Sequence, residues 1–204
     1  MNKSKFLIIL LLAHCLISIS FLASQYFWTL FPITMALLTY VAWNNWGFIK
    51  SLKQIITVKD VTLGMISGVI LYTFFFFSFI LVKFCFPFLL SYIDELYEVV
   101  GPTHAWHYLL LIFVVIPGEE IFWRGFVQNK LSIFLTSDWS KVMVASGLYG
   151  LAHIWTGNLM LIAAALTGGL FWGFLLYWKK NIGIVLLSHY TFNLFLLILF
   201  PLTF

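Results

Sequence analysis

The sequence predicts an all-α fold: a polytopic transmembrane helix bundle of about seven to eight membrane helices. Three observations predict it. Hydrophobic residues make up 63% of the 204 residues and charged residues only 9%, with a mean hydropathy of +1.04, more apolar side chain than a soluble core of this size can hide. Apolar runs recur along the whole chain, separated by short polar stretches. The few Lys and Arg fall between those runs, where membrane proteins carry their topology signals. They form no patch interleaved with aromatics, so the formal charge of +4 gives no support to nucleic-acid binding.

The first run, residues 6–22, follows Lys3 and Lys5 and ends at Leu22-Ala23-Ser24, like a secretory signal. Its apolar part exceeds the usual stretch of roughly 7–15 residues, so an uncleaved first helix is expected. The second run covers 27–46 and the third 61–90; the third carries Lys83, which is expected to snorkel, and can break before Pro87. The fourth run, 106–118, is shorter than the ~20 residues a span needs. It is therefore expected to continue through Glu119 and Glu120, with a separate interfacial or re-entrant helix over 118–135 as the alternative. Runs at 142–156, 159–178 and 182–200 complete the chain, which reads as one integral membrane domain over residues 1–204.

With a cytoplasmic N-terminus and seven spans, Lys3, Lys5, Lys50, Lys53, Lys59, Arg124, Lys130, Lys141, Lys179 and Lys180 all fall on the cytoplasmic side. The opposite loops, around Ser24, Asp94 to His104, and Gly157 to Asn158, contain no Lys or Arg. Cys15 and Cys85 lie alone in apolar runs and are expected in the core or facing lipid. Trp28, Trp43, Trp46, Trp106 and Trp178, near span ends, fit interfacial anchoring. Gly64 with Gly68, and Gly169 with Gly173, have the spacing that lets membrane helices approach closely.

Within this apolar chain the segment Pro117-Gly118-Glu119-Glu120-Ile121-Phe122-Trp123-Arg124 needs a reason, because a charge at membrane depth costs roughly 2.5–3.5 kcal/mol. On a helix Glu120 and Arg124 share a face, while Glu119 is rotated by about 100°. One carboxylate can then pair with the guanidinium and the other point elsewhere. Tyr149 and His153 are one turn apart, as are His189 and Asn193. These are acid/base and hydrogen-bonding groups able to activate water and hold an oxyanion. Counted along their spans, His153 lies about 16 Å and His189 about 10 Å from the cytoplasmic edge, and Glu119 about 10 Å from it. Taken singly, each feature reads as a structural ion pair, a packed histidine or an interhelical clamp; together at similar depth they read as one site. His14, His104 and His107 are expected to be structural or interfacial.

The ordered pattern Glu-Glu-x-x-x-Arg, aromatic-x-x-x-His and His-x-x-x-Asn, over about residues 106–200, resembles the CPBP family of intramembrane proteases, also called the Abi or CAAX-protease-like family, which includes the Rce1-type endoproteases. The resemblance implies a catalytic core there: Glu119 as general base and His153 as its partner, His189 with Asn193 as oxyanion donors, and Glu120 with Arg124 as the orienting ion pair. It implies peptide-bond hydrolysis in membrane-associated or C-terminally anchored substrates. Tyr149 stands where many relatives have Phe. The chain, short and without soluble domains, resembles prokaryotic members, for which a multi-pass protein of the cell membrane is expected. No cofactor is expected; zinc remains the mechanistic rival, since two His and a Glu form a known ligand set, although no HExxH is present. The other readings are a non-catalytic binding or immunity protein and, more weakly, a small transporter.

Overall fold

The structure, a computed structural model, describes residues 1–45 and 56–203. Among the described residues it contains helices and no strand. The helices are α1 (Lys3–Leu22), α2 (Phe27–Asn45), α3 (Val58–Cys85), α4 (Leu90–Val100), α5 (residues 105–128), α6 (Asp138–Leu151), α7 (Leu159–Lys179) and α8 (Ile182–Leu194), the last continued by a wide turn at Phe195–Leu199. Trp46, Lys50 and Lys53, which belong to the expectations for anchoring and topology, lie outside the described residues.

Each apolar run becomes a helix, and the count of crossings is close to the expectation. Among the described residues five segments are long and apolar enough to cross a membrane, or six if the bent pair Pro87–Val100 and Ala105–Ile133 forms one crossing. The shortfall lies in α5 and α6, two of the three segments that carry the motifs. Helix α6 has 14 residues, about 21 Å against a hydrocarbon thickness of about 30 Å. Helix α5 continues through the acidic pair as expected, with no break at Gly118. It meets α4 at a bend of 94°.

Helix α4 replaces an expected loop. Its acids Asp94, Glu95 and Glu98 are exposed, while Ile93, Leu96, Tyr97 and Val100 are partly buried on the opposite face, an i, i+3, i+4, i+7 stripe. Asn158 caps α7 by accepting from the Leu161 amide at 3.0 Å and donates to the Tyr92 carbonyl at 2.7 Å, tying α4 to the head of α7.

Two apolar clusters fill the bundle. One gathers α1, α2, α5 and α6 around Phe6, Ala13, Met35, Phe122, Trp123 and Tyr149; the other gathers α3, α7 and α8 around Leu71, Trp172, Val185 and Phe192. Helix α1 is thus part of the core. Leu11, Phe77 and Phe84 project outward with most of their surface exposed, which only a lipid surround makes favourable. The protein is a multi-pass membrane protein. Cys15 and Cys85 are free and exposed on this outer surface.

Glycines set the closest approaches. Gly64 and Gly68 seat α3 against Ile184, Leu187, Ser188 and Thr191 of α8, and Gly169 and Gly173 seat α7 against Val142, Ser146 and Tyr149 of α6. Trp43, Trp106 and Trp178 are exposed near helix ends, whereas Trp28 turns inward and stacks on His107, with ring centroids 4.4 Å apart and planes 6° apart. Buried His107 caps the head of α5, its Nδ1 accepting from the Thr103 amide at 3.0 Å. His14 packs edge-on to Trp123 and places Nε2 3.0 Å from the Leu148 carbonyl, bracing α1 against α6.

Candidate active site

Helix α5 carries the acidic pair through an irregular stretch. It widens into π turns at Leu111–Val115 and again over Glu120–Gln128, on either side of the short α segment Ile116–Glu119. Pro117 lies between them; it lacks an N–H and its ring clashes with the carbonyl four residues back, so a wider turn relieves the strain. Gly118 then brings α5 against α2, where a Cβ would sit 2.8 Å from that of Met35. The segment that carries the carboxylates is thereby held by backbone packing.

The two carboxylates diverge, as the helical rotation predicts. Glu120, with 0% exposure, places Oε1 2.7 Å from His189 Nδ1 and 3.3 Å from Arg124 Nη1. The Arg124 contact is an ion pair whose geometry falls short of a hydrogen bond: among the described residues both Nη atoms and Glu120 Oε2 find no hydrogen-bond partner. The guanidinium instead lies over two ring faces, with its carbon 4.6 Å from the Tyr149 centroid and 5.2 Å from that of Trp172. Glu119, 7% exposed, turns toward α6 and accepts from the Tyr149 hydroxyl at 2.6 Å.

His153 is buried just past the end of α6, its Nδ1 2.8 Å from the Tyr149 carbonyl. A carbonyl only accepts, so Nδ1 carries the proton and the neutral ring keeps Nε2 as an acceptor. Phe21 of α1 packs edge-on against the imidazole at 5.3 Å. On α8, His189 is sandwiched against Trp172, with centroids 3.8 Å apart and planes 22° apart, and Trp172 Nε1 donates to Ser188 Oγ at 3.2 Å. Asn193, one turn on, is half-buried.

Glu119, Tyr149, His153, His189 and Asn193 line one cavity of about 150 Å³, together with Phe27, Phe31 and Phe192. That is room for a few waters or a small side chain, at about 30 Å³ per water. The cavity lies at the seam between the two apolar clusters, so both must form before it exists. Glu120 and Arg124 do not line it. They stand behind His189, and Arg124 also borders a separate polar cleft of about 290 Å³ with Gln128, Asp138, Lys141 and Lys180. Glu119 and His153 share the cavity without a hydrogen bond between them. Among the described residues no three His, Cys, Asp or Glu side chains are grouped to hold a metal ion.

Residues 101–195 match the family model for the Type II CAAX prenyl endopeptidase Rce1-like domain. This segment is an Rce1-like protease domain. It is consistent with the CPBP family and runs from the loop before α5 into the end of α8, holding all three motifs. No curated protein and no solved structure matches the chain. The protein is accordingly an intramembrane endopeptidase in general terms.

Trp172 is the member of the site that sequence reasoning missed. It sits in mid-helix, far from the span ends where tryptophans anchor, and is flanked by Gly168, Gly169 and Gly173. A large ring in a small-residue stretch is a signal of burial at a close helix interface, and here it covers the imidazole of His189.

Proposed function

We propose that the Rce1-like domain hydrolyses peptide bonds by glutamate catalysis without a metal. Glu119 and His153 Nε2 take the proton of an attacking water as its oxygen bonds to the scissile carbonyl carbon, and the proton passes to the leaving amine as the C–N bond breaks. His189 Nε2 and Asn193 donate to the developing oxyanion. Because His189 Nδ1 faces the Glu120 carboxylate at 2.7 Å, an Nε2–H donor requires the doubly protonated ring, and Glu120 is the anion placed to balance that charge. Arg124 then holds Glu120.

One observation carries the reading: one cavity lined by Glu119, His153, His189 and Asn193, contributed by three separate segments of the chain. Substrates of this reaction are membrane-associated or C-terminally anchored proteins or peptides, met in the cytoplasmic half of the cell membrane of a prokaryote, with the N-terminus cytoplasmic. The position of all the described Lys and Arg except Lys83 in segments assigned to one side supports that orientation.

The test is cleavage of a membrane-peptide library by the purified protein in detergent. Cleavage lost in folded Glu119→Ala and unchanged by chelator is the expected result. Loss on chelation would replace it with the zinc scheme, and a folded wild type that cleaves nothing, presented with membrane-anchored peptides, would favour a binding protein.

A further inference from the structure

Tyr149 touches Glu119, His153 and Arg124, and the roles above leave it unassigned. Its hydroxyl meets Glu119 at 2.6 Å, its carbonyl meets His153 Nδ1 at 2.8 Å, and its ring face lies 4.6 Å beneath the Arg124 guanidinium. We propose that Tyr149 is a positioning residue for the reaction: its hydroxyl ties one oxygen of Glu119 and presents the other to the cavity. This rests on the protease reading of the same site.

The geometry supports it in three ways. At 2.6 Å the contact is in the range of charge-assisted O–H···O⁻ bonds, stronger than neutral ones. A carboxylate has two oxygens, and Glu119 Oε2 accepts no hydrogen bond from the described residues, so the tie to Oε1 selects the oxygen left for chemistry. The phenol cannot swing away. Trp123 packs on its ring at 5.3 Å, His153 stands edge-on at 5.0 Å, and Gly169 of α7 passes so close that a Cβ there would lie 3.3 Å from Tyr149 Cδ1. The hydroxyl's position is therefore fixed by helix packing and imposed on Glu119. Phenylalanine would keep every one of these ring contacts and lose only the tie, which separates the hydroxyl's role from that of the ring.

The experiment compares wild type, Tyr149→Phe, and a protein with 4-aminophenylalanine at position 149, which restores a para donor, in steady-state peptide hydrolysis. Tyr149→Phe is expected to lower kcat about 10- to 100-fold, with KM within about twofold of wild type, since a misaligned base costs rate rather than affinity. The 4-amino variant is expected to recover part of the loss. Wild-type kcat in Tyr149→Phe overturns the proposal, as does a loss that appears in KM alone. Should Tyr149→Phe not fold, 4-fluorophenylalanine at 149, which fills the space without a proton, replaces it in the comparison with the 4-amino variant, and equal kcat in those two overturns the proposal. In Glu119→Asp, whose carboxylate is withdrawn by one methylene, adding Tyr149→Phe is expected to change residual kcat by less than about twofold, and full multiplicative losses would overturn it. Failure of the protease reading itself is recognised separately, because the wild type is then idle.

Discussion

Gly68 on α3 faces the turn of α8 that carries His189 and Asn193, and Gly68→Ala tests how far the site depends on that approach. A Cβ there would lie 2.7 Å from Thr191 Cβ and 3.1 Å from the Phe192 nitrogen, and would overlap the Ser188 carbonyl oxygen. Carbon atoms in contact rest at about 3.5–4.0 Å, so the helices must part locally by about 1 Å. Two of the three obstructing atoms are backbone, which no rotamer change can clear. Overpacking of this kind costs about 1–3 kcal/mol, or roughly 2–12 °C of unfolding temperature for a chain of this size. A displacement of about 1 Å at the reacting groups is worth up to about 100-fold in rate. Gly147 on α6 is the internal control, since a Cβ there would meet nothing within 4 Å. Gly147→Ala, inside α6, is expected not to destabilise and to gain up to about 1 kcal/mol from helix propensity. Thermal unfolding in detergent, followed by tryptophan fluorescence, and peptide hydrolysis are the assays. A Gly68→Ala protein indistinguishable from wild type in both, or a Gly147→Ala protein equally impaired, would refute the packing argument.

Three further outcomes are expected. Glu120→Ala leaves the buried Arg124 charge without its partner and should destabilise by about 3–5 kcal/mol, whereas Glu120→Gln, which keeps an acceptor for His189, should unfold at a higher temperature than Glu120→Ala. Trp172→Ala removes the ring that covers His189 and should cost about 3–5 kcal/mol; Trp172→Phe keeps a stacking ring and loses the bond to Ser188, so its unfolding temperature should lie between Trp172→Ala and wild type. Asp138, exposed at the head of α6, has its carboxyl held below the ordinary value by the hydrogen bond from Lys141 and the charge of Lys180. A lowered acid stabilises the fold above its unfolded pKa, and the contribution disappears as pH falls through the folded value. The difference in unfolding temperature between wild type and Asp138→Asn should therefore shrink as the buffer is taken from pH 6 down past about pH 4, and a difference that grows with acid would exclude this account.

Periodicity and composition made several features legible. The seven apolar runs all became helices, and the Glu120–Arg124 pairing with Glu119 turned elsewhere follows from helical rotation alone. Helix α4 was missed because its three acids interrupt the apolar run, although the stripe Ile93, Leu96, Tyr97 and Val100 carries the helical period. The shortness of α6 was hidden because residues 152–156, apolar in part, leave the α-helix for tighter turns at His153.

The sequence by itself determined the class of protein, the order of its helices and the three motifs, because hydropathy and the i, i+4 relation act locally along the chain. Only the tertiary structure decided which atoms meet. Tyr149 ties Glu119, Glu120 is shared by His189 and Arg124, and Trp172 covers the imidazole of His189. These contacts depend on how closely α3 approaches α8 and α7 approaches α6 at their glycines, and on the wide turns of α5. Such distances arise from packing between segments remote in sequence, which no local pattern of residues specifies.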